Sequence, residues 1–162
     1  MGEGGLRSRE VRAAVVIEGT RSDVWHALTT VPGITSWLAP AADIHAVEGG
    51  HWTVAFDSQG KNLTDGGTIL TYARDRELVI AFKPPPALKT LRPARLTFSI
   101  EPLRAVEQRL VLIQEPMGEG AEWDRLATHL DDTWAWALDR LRRRMMLLVP
   151  TIGGYDPFWA GL

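Results

Sequence analysis

The sequence contains no cysteine, no long apolar run near either end and almost no net charge. Without cysteine there is no disulfide framework and no thiolate chemistry. The longest apolar stretch near an end, Met145 to Val149, is far shorter than the about 20 residues that cross a bilayer. With 18 basic and 20 acidic residues, the net charge produces no positive electrostatic field that would attract nucleic acid or an anionic membrane. These absences predict a cytoplasmic protein without membrane insertion or a nucleic-acid partner.

The length predicts one domain. A chain of 162 residues can bury a sizeable apolar core. We expect a single domain over residues 1–162, with its core at about residues 9–148 and a C-terminal tail at 149–162.

Alternating apolar residues indicate strands. Every odd position from Val11 to Ile17 is apolar, and alternation returns at 52–56, 70–72, 78–82 and 96–100 before an apolar run at 110–113. Within this pattern Leu70 and Tyr72 share one face. Turn-forming residues at 48–50, 65–67 and 74–77 separate the segments, as does the proline-rich link at 83–93. Strands joined by connections this short pair as an antiparallel meander.

The segment VWHALTTVPGITSWLAP at 24–40 predicts two short helices after the first strand. Thr20 and Asp23 form a capping-box pattern at the start, and Pro32-Gly33 stops the helix after about three turns. We expect the break to turn the chain so that Val24, Leu28, Ile34 and Trp37 close one end of a curved sheet.

The strongest helix lies near the C-terminus. It extends from about Ala121 to Leu148, roughly 40 Å, long enough to cross a sheet. The apolar stripe of this helix comprises Trp123, Leu126, Ala127, Leu130, Trp134, Ala137, Leu138, Leu141, Met145 and Leu148. A sheet with one apolar face is covered by a single helix only if the sheet curls around it. The predicted fold is therefore α+β: a curved antiparallel sheet of six to seven strands around a long C-terminal helix, a helix-grip arrangement.

The same segments resemble a known family. The run at 24–40, EGGHWTV at 48–54, GGTILTYARDRELVIAF at 66–82, LTFSIEP at 96–102 and the tryptophan-led terminal helix are similar to the activator of heat-shock protein 90 ATPase homologue family. That family lies within the START-like, or SRPBCC, superfamily of hydrophobic-ligand-binding folds. The resemblance implies an internal cavity for a small hydrophobic molecule, and it allows a chaperone partner.

The apolar residues that should face the interior, on the strands and on the helices, are the candidate ligand-binding residues. They are Trp37, Trp52, Phe56, Tyr72, Phe82, Phe98, Trp123, Leu126, Leu130 and Trp134. They either surround a cavity or simply fill the core. A buried phenol seeks a hydrogen-bond partner, so Tyr72 would offer its hydroxyl to a ligand, to a backbone carbonyl or to solvent.

No residue pattern predicts a metal, a cofactor or a catalytic residue. His129 and Asp132 are three apart on the last helix, but the sequence places no third ligand beside them. The functional hypothesis is non-catalytic binding or sensing of a small hydrophobic molecule. The alternatives are a protein-interaction module like the co-chaperone activator and, third, a cyclase- or hydrolase-like enzyme of the same superfamily.

A second apolar stripe on the last helix lies away from its core line and includes Trp136. An exposed apolar stripe needs a cover. The aromatic tail residues Tyr155, Phe158 and Trp159 are the nearest candidates. They would fold back on their own chain or reach a second copy, so a homodimer through Trp136 and these three residues is predicted.

Overall fold

The computed structural model describes residues 9–58 and 61–146. A seven-stranded antiparallel sheet curls around a long C-terminal helix, with strand order β1-β7-β6-β5-β4-β3-β2. The strands are β1 (Val11–Glu18), β2 (Ala41–Ile44), β3 (His51–Ser58), β4 (Lys61–Ala73), β5 (Glu77–Phe82), β6 (Ala94–Arg104) and β7 (Glu107–Gln114). The helices are α1 (Arg21–Thr29), α2 (Val31–Thr35) and α3 (Ala121–Met145). The predicted helix-grip architecture is confirmed.

Helix α3 buries the predicted stripe against the sheet. Its buried residues are Trp123, Leu126, Ala127, Leu130, Trp134, Ala137, Leu138 and Leu141, and Met145 packs at the margin of the core. Leu148 lies outside the described residues. In the described part of the chain, no helix has the combination of length and apolar character that crossing a bilayer requires.

The break between α1 and α2 is built by Thr30 and its neighbours. Thr30 adopts an extended conformation, with φ −119° and ψ 152°, and its hydroxyl oxygen accepts the Gly33 N–H at 2.9 Å. This side chain therefore caps α2 at the residue where α1 ends. A Cβ at Gly33 would lie 2.1 Å from the His26 carbonyl oxygen, so only glycine lets the two helices pack this closely. The predicted capping box of Thr20 and Asp23 is present.

The expected turn at 65–67 is wrong. Strand β4 runs straight through these residues, and the connection from β3 lies between Ser58 and Lys61, which are paired. The two glycines serve the strand itself. Gly66 has φ +135°, and a Cβ on Gly67 would lie 1.8 Å from the Ala81 carbonyl oxygen of the neighbouring strand. Glycine thus permits close backbone approach here instead of reversing the chain.

The expectation that Leu70 shares a face with Tyr72 is also wrong. The pairing of β4 with β5 shifts between Ile69 and Thr71, the signature of a β-bulge. The extra residue inverts the alternation. Ile69 is buried, whereas the Leu70 side chain is 45% exposed. Tyr72, beyond the bulge, stands opposite the buried Leu78 and packs against the core.

Candidate functional site

The ten residues predicted to bind a ligand come together between the sheet and the helices. We call this set the aromatic interior. Nine of them are only 0–2% exposed: Trp37, Trp52, Phe56, Phe82, Phe98, Trp123, Leu126, Leu130 and Trp134. The tenth, Tyr72, is half-buried and packs against the same cluster. The structure brings the ten residues together, and the role of these residues in ligand binding stays a prediction.

Aromatic rings connect the sheet to α3. The Trp52 ring lies 6.5 Å from the Phe82 ring and 6.2 Å from the Phe98 ring, between centroids. Phe98 meets Trp134 of α3 edge to face, at 5.9 Å and 84°. Such pairs add about 0.5–1.5 kcal/mol each beyond the apolar area that they bury. The interior is therefore held by ring contacts between strand and helix.

Two indoles of this set bind the last turn of α1. The Trp52 Nε1–H donates to the Leu28 carbonyl and the Trp37 Nε1–H donates to the Ala27 carbonyl, each at 2.9 Å. Carbonyls at a helix C-terminus lack an intrahelical donor. In a continuing helix, the Leu28 carbonyl would accept from residue 32, but that residue is Pro32 and has no N–H. The tryptophans thus supply the donors that the broken helix lacks.

Trp25 is a member of this region that sequence reasoning missed. Its Nε1–H donates to the Tyr72 hydroxyl at 3.3 Å, and the rings meet edge to face with centroids 5.1 Å apart. Trp25 is 4% exposed. A signal was available, because Trp25 and Leu28 are three apart and therefore share a helix face. The contact joins α1 to the end of β4.

Asp65 is the second residue that the sequence did not identify. Among the described residues it is the only buried acid, at 4% exposure, and both carboxylate oxygens are buried. It stands opposite the buried Val54 in the register of β3 and β4. A pocket of about 210 Å³, lined also by Lys83 and Pro84, opens beside it. The sequence had placed Asp65 in a turn, where no inward orientation is expected.

A larger pocket lies outside the aromatic interior. It measures about 410 Å³ and lies where the end of β1, the α1–α2 break and the end of α3 meet. Glu18, Asp23, His26, Pro32 and Met145 are among its lining residues, and none of the ten predicted residues is. Sequence reasoning gave no indication of this pocket.

Within residues 9–58 and 61–146, no three His, Cys, Asp or Glu side chains come close enough to share a metal ion. His129 is near Thr133, whose hydroxyl oxygen lies 3.4 Å from its Nε2.

The proline-rich link is tied to α3 through one carboxylate. The Thr90 hydroxyl and the Thr90 backbone N–H, the latter at 3.0 Å, both donate to Glu122 Oε1. These two hydrogen bonds, the hydroxyl's first, hold the pKa of Glu122 below its ordinary value. Glu122 also lies in the first turn of α3, where the helix dipole favours a negative charge. The link is thus anchored to the start of the helix.

Trp136 is exposed, as the sequence predicts. Its side chain is 43% accessible, and the Arg140 guanidinium lies 5.1 Å from its ring centroid. Tyr155, Phe158 and Trp159 lie outside the described residues, so the homodimer through Trp136 and these residues stays a prediction.

Solved structures with the same architecture come from several bacteria. The Aha1 dimer of Colwellia psychrerythraea has a TM-score of 0.68 at 15% identity, covering 87% of this chain and 98% of that one. Protein MLL2253 of Mesorhizobium loti gives 0.67 at 20% identity, covering 85% and 96%. DynU16, a putative protein in the dynemicin biosynthetic locus, gives 0.67 at 17% identity, covering 89% of this chain and 49% of that one. These similarities show the shared fold.

Among curated proteins, none matches the sequence significantly. The family model described as Activator of Hsp90 ATPase homolog 1-like protein matches residues 18–145, which include α1, α2, strands β2 to β7 and all of α3. The chain therefore belongs to the family of Activator of Hsp90 ATPase homolog 1-like proteins.

Proposed function

We propose that the protein binds a small apolar molecule between the curled sheet and its helices, without a chemical reaction on it. The observation that carries this proposal is the contact between Trp25 and Tyr72. Tyr72 is the member of the aromatic interior that reaches solvent, and its hydroxyl meets an indole N–H at 3.3 Å. An apolar pocket with a few placed polar groups is the usual form of a small-molecule site.

Entry of the molecule requires a local opening. The nine buried members of the interior are packed at 0–2% exposure, so a guest must displace side chains or move a helix. Tyr72 is half-buried, whereas the other nine members are closed to solvent, and its hydroxyl accepts the Trp25 indole N–H. We therefore place the entrance at the Trp25–Tyr72 contact, where opening would let the Tyr72 hydroxyl bond a polar group of the guest.

Thermal denaturation with defined probes tests this proposal. Lauric acid and naringenin, each at about 100 times its Kd, would add about 2.7 kcal/mol to the free energy of unfolding. For a chain of 162 residues that corresponds to a rise in Tm of about 5–11 °C. Leu130→Trp, which adds bulk where a guest would have to displace side chains, should abolish the shift, and Tyr72→Phe should reduce it for naringenin, the probe with hydroxyl groups. Trp136→Phe, on the exposed face of α3, is the matched control and should leave the shift unchanged.

Native mass spectrometry of freshly purified protein gives an independent readout that does not depend on a folded variant. A bound small-molecule mass supports the proposal. No copurified mass, together with no shift from either probe, contradicts it.

The close packing of the interior favours a second candidate, a protein-interaction module. The chain belongs to a family named for activators of the Hsp90 ATPase, and a closed interior suits a protein that binds partners through its surface. ATP turnover by purified Hsp90 with and without the chain tests this candidate. Stimulation that survives Leu130→Trp would favour surface binding, whereas an unchanged turnover contradicts it.

A further inference from the structure

Strand β1 forms one edge of the sheet. In the described part of the chain it pairs only with β7, so one side of its backbone has no strand partner. A groove of about 360 Å³ lies along this side, lined by the four consecutive residues 12–15 and by Ala135 and Leu138 of α3. Consecutive strand residues point to opposite faces, so a groove that touches all four must lie against the strand's edge. We call it the edge groove.

The edge groove is lined by both apolar and charged side chains, and each charged one is in an ion pair. Its apolar lining residues are Ala13, Ala14, Val15, Ala135 and Leu138. The charged lining residues are Arg12, Asp131 and Asp139. Arg12 binds Glu10 at 2.6 Å and Asp131 binds Arg9 at 2.8 Å, whereas Asp139 binds Arg142 and Arg143, each at 2.9 Å. An extended, mostly uncharged segment is the occupant that fits such a groove. Edge strands left open in this way are templates for pairing with another strand.

Helix α3 ends near one end of this groove. At its start, the Trp123 Nε1–H donates to the Arg9 carbonyl at 2.8 Å, and at its end the Met145 methyl lies 3.0 Å from the Cβ position of Gly19. The helix therefore runs alongside β1 in the same direction. The described chain therefore leaves α3 beside the C-terminal end of β1, and a segment that returned from there along the groove would be antiparallel to the strand.

The remaining chain has the required length and composition. Residues 147–162 span up to about 53 Å when extended, and eight residues of β1 need about 27 Å. This segment contains Tyr155, Phe158 and Trp159 and only one charged residue, Asp156. Its prolines, Pro150 and Pro157, lack an N–H, which suits an outermost strand and prevents pairing with yet another chain.

We propose that residues 147–162 return along the free edge of β1 and occupy the edge groove of the same molecule as an added outer segment. This inference is independent of the proposed function, because the groove contains none of the ten residues of the aromatic interior. It assigns the aromatic tail to a specific site, adjacent to the α3 face that carries Trp136.

Amide hydrogen exchange in the full chain and in a chain ending at Pro150 tests the proposal. In the full chain, the amides of β1 that face the groove should exchange slowly. Removal of residues 151–162 should accelerate them by about tenfold or more, as expected when a pairing partner is lost. The other edge strand, β2 (Ala41–Ile44), provides an internal control and should not change. Unchanged β1 exchange after truncation overturns the proposal.

A point variant covers the case in which the truncated chain does not fold. Ala135→Glu adds a carboxylate at an exposed position of α3 inside the edge groove and should also accelerate β1 exchange. Ala121→Glu makes the same substitution on the same helix outside the groove and should have no effect.

Light scattering at two concentrations identifies the occupant. A monomeric mass with protected β1 amides supports packing within one molecule. Protection that disappears on dilution together with a fall in mass means that a second copy is the occupant, and contradicts the proposal.

Discussion

The Trp52 indole N–H donates to the Leu28 carbonyl at 2.9 Å, at the point where Pro32 has no N–H to offer. Both groups are buried, so the bond supplies the acceptor with its partner in a region closed to water. The bond joins an α1 carbonyl to a β3 side chain. Because Pro32 has no N–H, the Leu28 carbonyl requires another donor, and the Trp52 indole supplies it.

Trp52→Phe should therefore destabilise the protein. Phenylalanine keeps an aromatic ring but leaves a buried carbonyl without a donor, at a cost of about 1–3 kcal/mol. Urea unfolding measures the change. Trp136→Phe is the control for the same substitution at an exposed site and should stay within about 0.5 kcal/mol of the parent. Equal effects of the two substitutions would contradict the assigned role of the indole.

The bulge in β4 predicts opposite outcomes for two neighbouring residues. Ile69→Ala should cost about 2–5 kcal/mol because Ile69 is buried. Leu70→Ala should stay within about 0.5 kcal/mol, since the Leu70 side chain points outward. Chemical denaturation of both variants provides the measurement. If Leu70→Ala were the more damaging, the regular alternation would be right and the bulge wrong.

Packing against α3 makes Leu130 a sensitive position. It is 1% exposed, and Leu130→Ala should lower the free energy of unfolding by about 2–5 kcal/mol. Leu103→Ala, at a site 40% exposed near the β6–β7 connection, is the matched control and should cost less than about 0.5 kcal/mol. Denaturation curves that overlap for the two variants would argue against a tightly packed interior.

Hydrogen bonds from Thr90 lower the pKa of Glu122, and this predicts a pH dependence. The folded-state pKa lies below the ordinary value of 4.5, so the folded state favours the ionised carboxylate. The resulting stabilisation is complete above pH 4.5 and is lost as the pH falls through the folded-state pKa. NMR titration of the Glu122 carboxyl should show the low pKa, and Thr90→Ala should raise it.

The same contact has a thermodynamic test. Glu122→Gln should remove this component of the acid-induced loss of stability, whereas Glu119→Gln, which deletes a negative charge just before the same helix, should retain it. A titration in which Thr90→Ala leaves the Glu122 pKa unchanged would disprove the link between the two residues.

Local patterns in the sequence were sufficient for the architecture. The apolar stripe from Trp123 to Leu141 predicted α3 and its buried face, because a 3.6-residue period is a property of the helix alone. Thr20, Asp23 and Pro32 likewise predicted the start and the break of α1 through short-range capping and the missing proline N–H. The alternating strands predicted which face is apolar wherever the pairing stayed regular.

Positions that depend on a neighbouring strand were not predictable in this way. Gly66 and Gly67 resemble a turn in sequence, and only the adjacent Ala81 carbonyl shows that they belong to a strand. The bulge between Ile69 and Thr71 depends on pairing with β5, which no local pattern encodes. Asp65 was missed for the same reason.

The sequence by itself determined the helices, the helix break, most of the strands and most of the aromatic residues that face inward, because each follows from spacing along one segment. The tertiary structure alone decided how closely those residues pack, which carbonyl each indole meets and where the open edge of β1 lies. Those features arise between segments far apart in the chain, and their energies depend on distances that only the folded molecule sets.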